Sequence, residues 1–316
     1  MQADLNINDY EIIPHSKLKH MHSFINDITY RNFHFHSDFE LMLVLKGNGQ
    51  VKIQDKKYVL GELDSLIVNK DEIHSIEGNT KPFILLMIQF SRHFCGEYFP
   101  VLRNTTFNTR TLRDVFKPDE YKEFIKKILS FNLCFIKEEP AFSLSCIECL
   151  SSILHMIYSH ARYTVVNESQ YQEGKKTIER VSRISKYIGS NYLNPIRLKD
   201  LADMEGITET HMSHVFTKNF GITFQEYLTS KRMEEAVRLS RTENFSNTMI
   251  SELCGFSDPK YLNKAFEKHF GCNYKEFIKK NFIPEREEKE HDKDVFERFL
   301  TRDECLKIHS SLDGLA

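Results

Sequence analysis

Long apolar runs are missing from this 316-residue chain: the longest spans residues 83–88. A membrane-spanning helix needs roughly 18 to 20 such residues, so no membrane span is expected. The opening Met1-Gln2-Ala3-Asp4 has neither the basic stretch nor the apolar core of a secretion signal. Seven cysteines are an odd number; without an export signal they read as reduced thiols in the cytoplasm, not as a disulfide framework. A strong charge of one sign is lacking too. The net charge of −2 excludes a wholly basic nucleic-acid coat. Apolar residues, 41% of the chain with 25 Phe and 13 Tyr, are plentiful enough to exclude disorder. At about 150 residues per domain, the length predicts two or three domains.

The small net charge hides an uneven distribution. Residues 182–283 hold 15 Lys and Arg against 12 Asp and Glu, whereas residues 284–316 hold 6 against 10. The region before an acidic tail is therefore where a phosphate backbone would be met.

Short β-rich runs at 39–45, 50–53, 57–60, 66–68 and 83–90 alternate with turn residues such as Lys46-Gly47-Asn48-Gly49 and Gly61-Glu62. Strands this short and evenly spaced predict an antiparallel barrel or sandwich. Beyond Pro118 the period changes to three and four. Tyr121, Phe124, Ile125, Ile128 and Leu129 mark one helix, and Ile147, Leu150, Ile153, Leu154 and Ile157 a second. The polar stretch from Asn167 to Lys176 reads as a linker.

The most informative feature is an internal repeat. Gly206-Ile207 recurs 49 residues later as Gly255-Phe256. At an offset of 50, Met212, Phe216, Phe220, Gly221, Glu226 and Tyr227 recur as Leu262, Phe266, Phe270, Gly271, Glu276 and Phe277. Each copy has a short helix, a Gly-containing turn and a second helix, which a helix-turn-helix requires. Thr208 and Asp258-Pro259 are helix-start signals, and Gly221 and Gly271 end the second helices. Thr223-Phe224-Gln225-Glu226 is a capping box that opens a long helix between the copies.

Residues 178–283 closely resemble the AraC/XylS family of bacterial transcription regulators. The match is carried by Leu201-Ala202, Met212-Ser213, Phe216, Gly221, Tyr227-Leu228, Arg232-Met233 and Ala236, then Ile250, Gly255-Phe256-Ser257-Asp258, Tyr261-Leu262, Phe266, Phe270-Gly271 and Phe277. The resemblance implies two helix-turn-helix units, at about 198–219 and 247–270, reading adjacent major grooves of double-stranded promoter DNA. With Met212, Val215, Phe216, Leu262, Ala265 and Phe266 turned inward, Glu209, Thr210, Ser213, His214 and Lys218 are left to meet DNA. In the second unit Lys260, Tyr261, Asn263 and Lys264 have that role, Tyr261 with the alternative of packing on the preceding helix.

His34-Phe35-His36, Glu40 and Gly47 match the first signature of a cupin barrel, and Gly61 and His74 part of the second. Positions 34, 36 and 40 share a face at period two with Met42 and Val44, so this face should point inward. Three uses are open for His34, His36, Glu40 and His74: a divalent metal site, a small-molecule pocket without metal, and a structural remnant. A metal-free effector pocket is the expectation, with no cofactor. Cys146-Ile147-Glu148-Cys149 is a CxxC inside an apolar helix and reads as core thiols; a redox switch is the alternative.

The expected architecture is multidomain α+β. Residues 1–117 form an antiparallel, jelly-roll-like barrel that senses an effector, and 118–165 a helical pair that dimerises. A linker at 166–176 leads to an all-α DNA-binding domain at 177–283, followed by an acidic tail at 284–316 in which Val295, Phe296, Phe299 and Leu300 would form a short amphipathic helix. The expected function is a cytoplasmic, non-enzymatic transcription regulator, an activator rather than a repressor, with a small-molecule effector, RNA polymerase and a second copy as partners. The competing class is a metal-dependent cupin enzyme with a helical appendage.

Overall fold

Between residues 38 and 46 and between 84 and 91 both phases of the two-residue period are largely apolar, and the strands formed there are covered on both faces. The computed structural model describes residues 10–11, 15, 17–240, 245–281 and 297–312. It contains two five-stranded sheets. The first runs β1 (Tyr10–Glu11), β3 (Tyr30–His36), β8 (His74–Gly78), β5 (Gly49–Ile53), β6 (Lys56–Leu60). The second runs β12 (Glu297–Phe299), β2 (Met21–Ile28), β9 (Ile84–Ser91), β4 (Asp38–Lys46), β7 (Ser65–Val68). Met42, Val44, Val51, Leu66, Ile76, Phe83 and Met87 fill the space between them. This is the antiparallel β-rich architecture expected from the strand spacing, but it begins earlier. β2 escapes the hydropathy pattern because Ser23, Asn26 and Asp27 interrupt it; Ser23 Oγ donates to the Met87 carbonyl at 2.8 Å and Asn26 is fully buried.

The outer face of the second sheet, with Phe39, Leu41, Leu43, Ile88 and Phe90, packs on α1 (Pro118–Lys137) and α2 (Phe142–His160). By length and composition alone, α2 is apolar enough to cross a membrane; in the fold its apolar side lies in this core. Of the stripe read for dimerisation, Leu150, Ile153, Leu154 and Ile157 are consumed within the chain, while Ile147 remains exposed, as does Leu144 outside the stripe. Cys146 and Cys149 are buried on the same helix, and burial pushes their thiols up to about 12 and about 11. Raised, buried thiols favour the reading of these cysteines as core residues. A two-stranded antiparallel sheet of β10 (Thr105–Phe107) and β11 (Tyr163–Val165) closes this side.

The stretch expected as a linker is instead the start of α3 (Glu168–Asn191). Asn167 caps it by accepting from the Gln170 N–H at 3.0 Å, so polarity here marks a solvated helix, not a break. There follow α4 (Leu198–Glu205), α5 (Glu209–Phe220), α6 (Phe224–Ser240), α7 (Asn247–Leu253), α8 (Pro259–Phe270) and α9 (Tyr274–Asn281). These helices dock on the outer face of the first sheet. Phe33, Phe35 and Ile73 share a core with Val181, Ile184, Leu201, Met212, Phe216 and Tyr227. Tyr30 joins the core of the second unit, its ring 6.0 Å from that of Phe270.

The tail returns to the barrel. Val295 and Phe296 lie outside the described residues, Phe299 belongs to strand β12, and the helix of this region is α10 (Arg302–Leu312). β12 pairs with β2, and the Glu297 carboxylate accepts from Asn26 and, at 2.8 Å, from Arg31. Arg31 also donates to both oxygens of Glu11, at 2.5 and 2.7 Å. Its half-buried guanidinium therefore joins the first described strand to the last. Cys305 of α10 enters the core beneath α1, and His309 Nε2 is 2.8 Å from Asn132 Oδ1.

Gly221 and Gly271 both have left-handed backbone, with φ of +68° and +66°. A Cβ on Gly271 meets nothing, whereas one on Gly221 would lie 1.7 Å from the Gln54 carbonyl oxygen of the barrel. Gly271→Ala should therefore cost only the left-handed penalty, about 1 to 2 kcal/mol. Gly221→Ala should lower the thermal unfolding midpoint clearly further, because it also separates α5 from the β5–β6 turn. Equal shifts in a calorimetric scan would contradict this docking.

Candidate functional site

The two helical units expose one comparable face each. Thr208 Oγ1 accepts from the His211 N–H at 3.2 Å and Asp258 Oδ1 from the Lys260 N–H at 2.8 Å, which starts α5 and α8 at set points. Met212, Phe216, Leu262, Ala265 and Phe266 are buried and Val215 is half-buried. Glu209, Thr210, Ser213, His214 and Lys218 are exposed on α5, as are Lys260, Tyr261 and Lys264 on α8. Tyr261 is 49% exposed with the Lys260 ammonium 5.0 Å from its ring centre, so it does not pack on the preceding helix. Asn263 is half-buried, and its Oδ1 accepts from the Tyr274 N–H at 3.3 Å; only its Nδ2 is left for a base. Lys268 Nζ, 2.9 Å from Glu226 Oε1, ties α8 to the start of α6 and so one unit to the other.

Inside the barrel, His34, His36, Glu40 and His74 converge, one donor atom from each lying within 4.8 Å of the others. They do not share one strand. The chain passes from β3 to β4 at Ser37, so the histidines come from one sheet and Glu40 from the facing one. A bulge between Arg31 and His34 makes this possible. It places Asn32 and Phe33 together on the outer face and returns both Arg31 and His34 to the inner one.

The ring orientations are fixed from outside. His34 Nδ1 is 2.8 Å from the Asn32 carbonyl, His36 Nδ1 2.9 Å from that of Asp38, and His74 Nδ1 2.9 Å from that of Glu72. Each Nδ1 must donate, since a carbonyl only accepts, which aims each Nε2 inward; that of His74 donates to the Glu40 carboxylate. His74 Nε2 is 3.1 Å and His36 Nε2 3.8 Å from Glu40 Oε2; the latter exceeds a hydrogen bond. His34 and His36 Nε2 are buried without a hydrogen-bond partner. Burial disfavours a charged His34, and neighbouring His74 and Arg31 repel one, so its pKa is held well below the usual range. Burial alone would raise the Glu40 carboxyl, but the hydrogen bond from His74 and the charge of His36 and His74 outweigh it and hold its pKa well below the usual range. Three inward Nε2 atoms beside an ionised carboxylate, with the proton between His74 and Glu40 displaced, form a donor set that suits a first-row divalent metal. Two supporting residues were not singled out from the sequence. Gln89 donates to Glu40 Oε1 at 2.7 Å, and its one signal is that it is the lone amide in the apolar run of β9. Asn32 carried no signal at all.

A separate cleft of about 680 Å³ opens between the barrel and α3, lined by Lys70, Asp71 and Arg92 on one side and Ile178, Val181 and Ser182 on the other. Burial lowers the Lys70 ammonium to about 8.

Two family descriptions match the sequence: an AraC-like ligand binding domain over residues 25–99 and a helix-turn-helix domain over residues 201–280. Among curated relatives, the uncharacterized HTH-type transcriptional regulator YfiF of Bacillus subtilis is 24% identical over 76% of each chain. The lactose operon transcription activator of Staphylococcus xylosus is 33% identical over 99 residues, 31% of this chain and 36% of that one. Solved ToxT from Vibrio cholerae aligns with 82% of this chain and 98% of its own at 13% identity and a TM-score of 0.43, too loose a likeness to transfer an arrangement.

Proposed function

We propose that the chain is an AraC-type one-component transcription regulator in which the barrel senses and the paired units read promoter DNA, a reading supported by the two family descriptions that match its two halves. The observation that carries this is the pairing of exposed faces on α5 and α8, each backed by a buried core and each seated against the same strand, β3. Glu209, Thr210, Ser213, His214, Lys260, Tyr261, Asn263 and Lys264 are placed to meet base edges, and Lys218 to meet phosphate. The proposed outcome is activation through contact with RNA polymerase, without catalysis. A second copy is proposed to pair through Leu144 and Ile147, the apolar part of α2 left uncovered.

Two ligand places are assigned different roles. Organic effectors need a site of several hundred Å³, which the cleft beside α3 offers. The four-residue cluster is buried, with one donor atom from each residue within 4.8 Å of the others, so we assign it a divalent cation in place of the metal-free effector pocket expected there. His34, His36, His74 and Glu40 would hold it, and the ion would supply positive charge where two lone pairs now lack a partner.

Sequence reading is tested by selecting binding sites from random duplexes. Lys264→Ala should relax preference at one operator position, worth roughly 1 to 3 kcal/mol, while Lys218→Ala should weaken all sequences alike. Wild-type motifs retained at full strength by both variants would mean that the reading face is elsewhere. For the cluster, protein dialysed against zinc should hold one equivalent by elemental analysis and His36→Ala well under half of that. Wild type retaining less than a tenth of an equivalent would refute the metal assignment. Sedimentation at micromolar concentration should show a dimer and Leu144→Asp a monomer; a monomeric wild type, with and without DNA, would refute the pairing.

A further inference from the structure

Asn32 is the one residue of the bulge that bonds to both the histidine cluster and the DNA-reading helices. Its carbonyl accepts from His34 Nδ1 at 2.8 Å. Its side-chain Oδ1 accepts from the Phe33 N–H at 2.8 Å and lies 3.2 Å from the Tyr30 hydroxyl, which donates to it. Its Nδ2 donates across the domain boundary to Glu234 Oε2 on α6 at 3.1 Å. Carbonyl and amide are joined by a short, buried side chain, so the peptide cannot turn without moving the amide. α6 is also the helix that connects the two units, and Tyr30, two residues away, packs on the second of them.

We propose that Asn32 couples occupancy of the histidine cluster to the placement of the recognition helices, through His34 on one side and Glu234 on the other. The proposal rests on the metal reading of the cluster. With its Nε2 lone pair engaged, the His34 ring donates more strongly from Nδ1, as metal-bound imidazoles do to their outer partners. The Asn32 carbonyl is then held in one orientation, the bulge is fixed, and the Nδ2 bond holds α6 at one angle to β3. Two recognition helices joined by a fixed α6 are already spaced for successive grooves, so the ordering cost of binding DNA falls. Without the ion the bulge has more freedom and that cost returns. Coupling of this kind is reciprocal: DNA must tighten the ion by the factor by which the ion tightens DNA.

The test measures that factor in the full chain, with zinc as the ion and a duplex taken from the selection above. Wild type should bind DNA about fivefold or more tighter with zinc than after chelation, and should bind zinc tighter by the same factor when DNA is present. Glu234→Leu removes the acceptor on α6 without touching the cluster; zinc binding without DNA should persist while both factors fall to about one. Glu234→Gln keeps an oxygen for Asn32 Nδ2 and should retain the coupling. Asn32→Asp keeps the acceptor for Phe33 but sets a carboxylate against Glu234, and should uncouple as Glu234→Leu does. If wild type binds no zinc, the metal reading fails. If it binds zinc and its DNA affinity does not change, the coupling fails while the metal reading stands. Coupling that survives in Glu234→Leu and Asn32→Asp would place the route elsewhere.

Discussion

Seven residues of β3 have to satisfy two environments at once, and the rest of the architecture follows from how they do it. The inward side faces a second sheet and carries Arg31, His34 and His36; the outward side faces helices and carries Tyr30, Asn32, Phe33 and Phe35. A regular strand cannot give that division, because Arg31 and His34 differ by an odd number of positions. The bulge absorbs the mismatch, and its extra residue supplies a polar side chain where the outer face meets α6. Burying a polar group without a partner is costly, and most of these have one; the Nε2 atoms of His34 and His36 are exceptions. Arg31 meets two carboxylates, and the imidazoles meet three carbonyls and Glu40.

The tail extends the same logic. Glu297 reaches Arg31 from the far end of the chain, and β12 covers an edge of the second sheet. A half-buried guanidinium between two carboxylates is costly to break from one side, since the remaining charges stay largely shielded from water. The DNA-reading helices thus lie between two segments that both belong to the barrel: the strands before α3 and the strand and helix after α9. Their seat on the sheet is fixed by connectivity as well as by Phe33 and Phe35.

Much of this was legible in the residues. The repeat placed both helix-turn-helix units, because glycine at a left-handed helix end and a polar cap at a helix start are local requirements that no tertiary contact replaces. The strands after residue 38 were visible from their apolar runs. His34, His36, Glu40 and His74 were identified as a set, although the reason they meet is a corner between sheets. What stayed hidden depends on distant partners. β2 looked polar because Ser23 and Asn26 find bonds 64 and 271 residues away. The start of α3 looked like a linker because a solvated helix and a loop share a composition. The tail looked like an appendage because its strand makes sense only beside β2, and Asn32 was ordinary until its partner Glu234 came into view.

If the DNA-reading helices are seated on β3, their stability and that of the strand must be one quantity. Amide hydrogen exchange in the full chain, comparing wild type with Phe35→Ser, measures it. Loss of protection should spread together through β3, α4, α5 and α6. Loss confined to β3, with the helices exchanging as in wild type, would mean that the helices fold without this seat and that the barrel has no mechanical hold on DNA reading.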